Sequence, residues 1–315
     1  MMVKQRIFIT GGSGYIGSAI IEQATAQGYE VYGISRNETS DARLTGLGAV
    51  PVRGDLHSLD VLREQSAHAD IVMHLADPMA ANHHMPYEER IRIDDAAVEA
   101  IGAGLEGSNK PLVVTSGTLV VAATGAETDE TSPLWEKPLN DRIVCEQNNL
   151  KLCEKGVKVS VIRLAPFVYG RGASGVGLFM KMYSNMKGVS YVEPGDVFTS
   201  AVHVEDAASL YILAAQKAKA GDIFNGVSST NVTFRQLSEV MGDVLGLPVQ
   251  SVPFDTAASR WGEFYALFLS TENRASGAKA MRELGWEPNK VGIIEDVKCG
   301  SYVSLTESLK GSTVA

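Results

Sequence analysis

Three cysteines, Cys145, Cys153 and Cys299, are an odd count with no Cys-x-x-Cys spacing, which supports neither a disulfide framework nor a zinc site. A reduced, cytoplasmic protein without a metal centre is the expectation. No apolar run approaches the length of a membrane span, and the opening MMVKQRIFITGG passes straight into a strand pattern with no apolar leader, so neither a membrane anchor nor secretion is expected. Positive charge is scarce: 28 Lys and Arg stand against 37 Asp and Glu, a net charge of −9. A polyanion meets repulsion from such a surface and finds no basic stripe to offset it, which argues against nucleic acid or an anionic membrane as partner. A small anion stays open, because two or three placed donors suffice to hold one. The 11 prolines and 31 glycines are scattered singly and no fixed-period repeat is present, so disordered and fibrous classes are excluded as well.

What is present is a chain that buries a core, with apolar residues making up 45% of it. Its first half alternates short β-branched runs with longer amphipathic stretches, the pattern of a parallel sheet covered by helices on both faces. Strands are expected at 6–10, 30–35, 50–53, 71–75, 112–115 and 157–164. A helix at 15–27 carries Ile16, Ile20, Ile21 and Ala24 on its apolar side and closes at Gly28. After Pro166 the alternation breaks, and 170–177 (GRGASGVG) reads as a glycine-rich loop. Helices at 234–245 and 276–284 follow, with a strand returning to the main sheet near 222–227. The fold expected is α/β, a doubly wound Rossmann sheet over 1–168, with a smaller substrate-binding part over 169–315.

The sequence Thr10-Gly11-Gly12-Ser13-Gly14-Tyr15-Ile16-Gly17 lies between the first strand and the first helix. Glycines at that spacing allow a tight turn, close backbone approach to a pyrophosphate and close helix packing. The amides opening the helix, with Gly11, Gly14, Tyr15 and Ile16 around them, then face the phosphates. An NAD reader carries a carboxylate at the end of the second strand to hold the ribose hydroxyls. Here that place reads Gly33-Ile34-Ser35-Arg36-Asn37. Arg36 can pair with a 2′-phosphate that a carboxylate would repel, so NADP(H) is the expected cofactor.

These residues resemble the extended and atypical short-chain dehydrogenase/reductase superfamily, the NAD-dependent epimerase/dehydratase-like proteins, over nearly the whole chain. Besides TGGSGYIG, the likeness includes Gly54-Asp55-Leu56, His74-Leu75-Ala76 and Val113-Val114-Thr115-Ser116-Gly117-Thr118. It continues through Arg163-Leu164-Ala165-Pro166-Phe167-Val168-Tyr169-Gly170, Val202-His203-Val204-Glu205-Asp206 and Leu284-Gly285-Trp286-Glu287-Pro288. The resemblance implies that Asp55 and Leu56 contact adenine, that Leu75 and Ala76 lie along the cofactor, and that Thr115 and Pro166 border the nicotinamide. It also implies pairing through helices near 95–106 and 140–153, and the sequence permits such a homodimer.

The departures are as informative. Members that move hydride to or from carbonyls carry a Tyr-x-x-x-Lys pair on the helix after the fifth strand, where tyrosine moves the proton and lysine lowers its pKa. No tyrosine occurs between residues 125 and 160, and Arg142 and Glu146 fall at the two positions. Four apart on one helix face, they can pair with each other or with Asp94. Arg142 can stabilise an oxyanion, and a desolvated Glu146 can act as acid or base. Ser116 and Thr118 are candidate donors to a substrate oxygen. His83 and His84, in the segment after the fourth strand, and Tyr169 are candidate substrate-side groups. Aromatic and methionine residues of the second half, Phe264 and Phe268 among them, suggest an apolar wall, and cations for a second diphosphate are sparse. The leading expectation is an NADP(H)-dependent oxidoreductase acting on a small, mainly apolar carbonyl, imine or conjugated substrate. An epimerase, dehydratase or redox-neutral isomerase is one alternative, and an NADP(H)-sensing regulator without catalysis is another.

Overall fold

A computed structural model describes residues 4–80, 82 and 85–311. Five βα units and a sixth strand occupy the first half: β1 (Arg6–Thr10), α1 (Tyr15–Ala26), β2 (Glu30–Ser35), α2 (Glu38–Gly46), β3 (Val50–Arg53), α3 (Leu59–His68), β4 (Ile71–His74), α4 (Tyr87–Leu105), β5 (Pro111–Gly117), α5 (Arg142–Leu150) and β6 (Lys158–Leu164). The second half holds β7 (Phe167–Tyr169), α6 (Ser174–Met186), β8 (Val189–Val192), β9 (Phe198–His203), α7 (Val204–Lys217), β10 (Asp222–Gly226), β11 (Ser229–Thr233), α8 (Phe234–Leu245) and β12 (Val249–Val252). It ends with α9 (Phe254–Trp261), α10 (Glu263–Phe268), α11 (Ala278–Leu284), α12 (Ile293–Cys299) and α13 (Val303–Gly311).

The main sheet is parallel throughout, in the order β10-β6-β5-β4-β1-β2-β3. The chain winds outward from β1 to β3 and then returns to β4 beside β1. That reversal opens a crevice at the carboxyl ends of β1 and β4, the place where doubly wound sheets bind ligands. Alternation along β1 builds both covering layers: Ile7 and Ile9 pack with Ile20 and Ile21 of α1 and with α7, while Phe8 packs the opposite way with Leu62, Ile101 and Leu105. β10 joins the sheet through β6, with Phe224 opposite Ile162.

A second core gathers Phe167, Met180, Tyr183, Leu237 and Met241 under two small sheets, β11-β9-β7 and β12-β8. One element differs from the sequence reading. The segment 170–177 is a loop only to Ala173, and Ser174 to Gly177 form the first turn of α6. The glycines there read locally as a loop, but Val176, Met180 and Tyr183 fall on one face and are drawn into the second core.

Candidate functional site

Two clefts open beside the carboxyl ends of β1, β4 and β5 and share the wall formed by Leu75, Ala76 and Asp77. The first, of about 400 Å³, runs from the glycine loop to the end of β2. Gly11 stands at φ +72°, and a Cβ there would lie 2.8 Å from the Ala76 amide nitrogen. A Cβ on Gly17 would lie 2.2 Å from the Gly11 carbonyl oxygen. Only bare backbone fits both places, so the loop is pressed against β4 and against its own helix. Gly14 caps α1 without any side chain capping it, which leaves the first-turn amides at Tyr15 and Ile16 facing outward at the positive end of the helix. This cradle fits a dinucleotide pyrophosphate. The side chains of those two residues do other work: the Tyr15 hydroxyl donates to the Gly170 carbonyl (2.8 Å), and Ile16 packs on the core.

At the far end of this cleft stand Ile34, Arg36, Ser40, Asp55, Leu56 and His57. Arg36 is exposed and makes no hydrogen bond or ion pair among the described residues. Burial would raise the Asp55 carboxyl, but hydrogen bonds from the Ser58 hydroxyl and the His57 amide, each 2.9 Å, hold it below the usual range.

The second cleft, about 350 Å³, continues from Asp77 past Thr115, Ser116, Asn140, Arg142 and Pro166. Its apolar wall comprises Leu119, Val120, Val168, Phe264 and Phe268, with the two phenyl rings stacked at 6.5 Å. The Thr115 hydroxyl bridges the His74 carbonyl and the Tyr211 phenol. Next to it Ser116 is 3% exposed, and its Oγ has no partner among the described residues. Arg142 reaches into the same cleft and donates from Nη2 to Asp77 Oδ2 at 3.0 Å. Asp77 is gripped from behind by Arg90, through Nε to both oxygens (3.1 and 3.2 Å) and Nη2 (2.9 Å). Burial would raise the Asp77 carboxyl, but the Arg90 hydrogen bonds and the charges of Arg90 and Arg142 hold it below the usual range.

A further buried pair borders the cleft. The Thr10 hydroxyl accepts from the Leu75 and Ala76 amides (3.2 Å each), so its own proton goes to His74 Nδ1 at 2.8 Å. His74 Nε2 then carries the proton directed at Asp94, 3.3 Å away. Burial opposes charge on Asp94, yet the His74 bond keeps its carboxyl below the usual range.

Several expectations are corrected here. Arg142 and Glu146 do not pair with each other. Glu146 turns away from the cleft, and both its oxygens bind Arg163 of β6, at 3.2 and 3.0 Å from Nε and 2.6 Å from Nη2, with both residues buried. A carboxylate so saturated and shielded cannot exchange protons with a substrate. Thr118 borders the cleft, but its hydroxyl is fully buried and donates to Asn273 Oδ1 at 2.9 Å, so its proton is committed. Tyr169 lies in the second core, donating to the Val291 carbonyl at 2.7 Å, and does not border the cleft. His83 and His84 lie outside the described residues. The sequence reading passed over Asp77 and Arg90; only the place of Asp77 directly after His74-Leu75-Ala76 hinted at a cleft residue, and nothing local marked Arg90.

The model of the NAD dependent epimerase/dehydratase family matches residues 7–225. An uncharacterized protein of Schizosaccharomyces pombe is 35% identical over 298 residues, spanning 94% of this chain and 99% of that one. The 4-hydroxy-2-methyl-3-oxo-4-farnesyl-3,4-dihydroquinoline-1-oxide ketoreductase of Stigmatella aurantiaca is 25% identical over 308 residues, spanning 89% of this chain and 91% of that protein. Among solved structures, human epimerase family protein SDR39U1 with NADPH superposes with a TM-score of 0.73 at 19% identity, over 94% of this chain and 99% of that one.

Proposed function

The chain belongs to the NAD-dependent epimerase/dehydratase family, and from that premise we propose that it is an atypical short-chain dehydrogenase/reductase: an NADP(H)-dependent oxidoreductase of a small, mainly apolar carbonyl, imine or conjugated compound. The observation that carries the reading is Arg142, held by Asp77 beside the unpartnered Ser116 hydroxyl in a cleft that shares a wall with the glycine loop's cleft. In the resemblance, Arg142 stands where tyrosine is expected.

A nicotinamide dinucleotide, when bound, supplies or takes up the hydride. The chain's own residues supply the rest. Gly11, Gly14 and the open amides of α1 hold the pyrophosphate, Leu75 and Ala76 line its path, and Thr115 and Pro166 border the inner end. The Arg142 guanidinium meets the negative charge that grows on a substrate oxygen during reduction; the Ser116 hydroxyl donates to the same oxygen. The proton that completes the alcohol comes from water, since Thr118 and Glu146 are committed elsewhere. Asp77 and Arg90 act as positioning residues that fix the Arg142 guanidinium in the cleft.

Arg36 supports NADP(H), because β2 ends without a carboxylate and this guanidinium stands open at the rim of the cleft. The apolar wall supports an apolar substrate, and the ketoreductase among the relatives agrees with that class. Both cations of the second cleft, Arg90 and Arg142, are bound to one aspartate, which leaves no free cluster there for a sugar nucleotide's diphosphate.

The test is NADPH consumption across a panel of aldehydes, ketones, imines and enones, with Arg142→Gln in parallel. Turnover that falls about 10²-fold or more in Arg142→Gln supports the reading. Tight NADPH binding with no turnover on the panel overturns it in favour of a cofactor sensor. Interconversion of sugar nucleotides without net cofactor consumption overturns it in favour of an epimerase.

A further inference from the structure

The second cleft offers more hydrogen-bond donors than one carbonyl oxygen can use. Ser116 Oγ is buried and has no partner among the described residues. Arg142 spends one N–H on Asp77, and among the described residues its Nε and Nη1 meet no acceptor. The acceptors around them are already engaged. Asp77 receives three nitrogen atoms of the two arginines and the Met79 amide (2.9 Å), and Asp94 receives His74. A ketone or aldehyde oxygen has two lone pairs, which Ser116 and one guanidinium N–H fill. The second open nitrogen of Arg142, on a side chain 27% exposed, is then left to water at the mouth of a cleft walled by Phe264, Phe268 and Val168, and a second substrate oxygen can take the place of that water.

Building on the oxidoreductase reading, we infer that the substrate carries a second acceptor oxygen two or three atoms from the reacting one, as in a 2-oxo acid or a 1,3-dicarbonyl compound. One edge of the Arg142 guanidinium, the remaining Nη2 hydrogen together with Nε or Nη1, takes both oxygens, Ser116 binds the reacting one, and the apolar remainder lies along Phe264 and Phe268. In reduction the carbonyl carbon accepts hydride from the reduced dinucleotide, the π pair of the C=O bond moves onto oxygen, and water protonates it. The products are a hydroxy acid or hydroxyketone and the oxidised dinucleotide.

Three probes with a common aromatic tail test this: phenylpyruvate, benzoylacetone and phenylacetone. Each is titrated into the full-length protein saturated with NADP⁺, by calorimetry, and each is assayed for kcat/KM with NADPH. At least one of the two dioxygenated probes is expected to bind about tenfold tighter than phenylacetone. Arg142→Met, with its fold checked by circular dichroism and Tm, is expected to erase the difference, and Arg142→Lys to restore part of it. Phenylacetone binding as tightly as both others, or a preference that survives Arg142→Met, overturns the inference. The affinity measurement is independent of turnover: a binding preference without NADPH consumption sustains the two-oxygen site while refuting the oxidoreductase reading.

Discussion

Replacing Glu146 with glutamine separates a structural carboxylate from a catalytic one. Glu146 and Arg163 are 1% and 3% exposed at their side chains and are joined through both carboxylate oxygens. Removing one charge from a buried pair strands the other, at about 3–5 kcal/mol. Glutamine keeps one oxygen to accept from Arg163, so the lower end, about 3 kcal/mol, applies. At an unfolding entropy of about 2.1 cal/mol/K per residue, a chain of 315 residues loses about 4–5 °C of Tm for that penalty. Calorimetry on Glu146→Gln measures the shift, and the double variant Glu146→Leu/Arg163→Met, with both charges gone, is expected to recover most of it. NADPH affinity is expected to stay within about twofold of the parent, because Glu146 does not border either cleft. An unchanged Tm together with a hundredfold loss of turnover would refute the reasoning and return Glu146 to the reaction.

Other consequences are checked as simply. Arg36→Ala is expected to weaken NADPH by about 10- to 100-fold, the worth of a charge-assisted phosphate contact, and to leave NADH little changed; fluorescence titration of both cofactors decides it. Gly17→Ala forces a Cβ against the Gly11 carbonyl and is expected to abolish NADPH binding, read by the same titration. Asp77 and Asp94 have carboxyls held below their ordinary range, so the stability they confer is complete above about pH 4 and is lost as pH falls through their lowered values. Tm should therefore show no pH dependence from them between pH 7 and 5 and should drop below about pH 4, less steeply in Asp77→Asn. Burial pushes the Cys145 thiol up to about 12, so intact-mass analysis after iodoacetamide treatment at pH 8 should find it unmodified while the protein remains folded.

The fold was legible where local pattern and tertiary demand agree. Strand β1 and its glycine turn are visible because alternation along residues 6–10 feeds two buried faces and the turn admits only glycine at Gly11. At Ser174 the surrounding glycines locally outweigh an apolar face that is rewarded only once the second core forms, so the start of α6 is hidden in the sequence. At the site, the helical spacing of Arg142 and Glu146 suggested a mutual pair, yet each found a better partner in Asp77 and Arg163, 65 and 17 residues away in sequence. Spacing along one helix says which side chains are close, not which strands and loops will compete for them. The open hydroxyl of Ser116 and the saturated one of Thr118 differ for the same reason, since Asn273 reaches Thr118 from 155 residues further along.

Hydride transfer is the central claim, and isotopic labelling tests it most directly. The protein is incubated with phenylpyruvate, benzoylacetone and a set of simple ketones and enones, using NADPH deuterated in turn at each face of nicotinamide C4, and products are weighed by mass spectrometry. The account predicts a product carrying one deuterium from one face only, formed in equal amount with NADP⁺ and lost in Arg142→Gln. NADPH that binds tightly while no product gains deuterium from either face would contradict it.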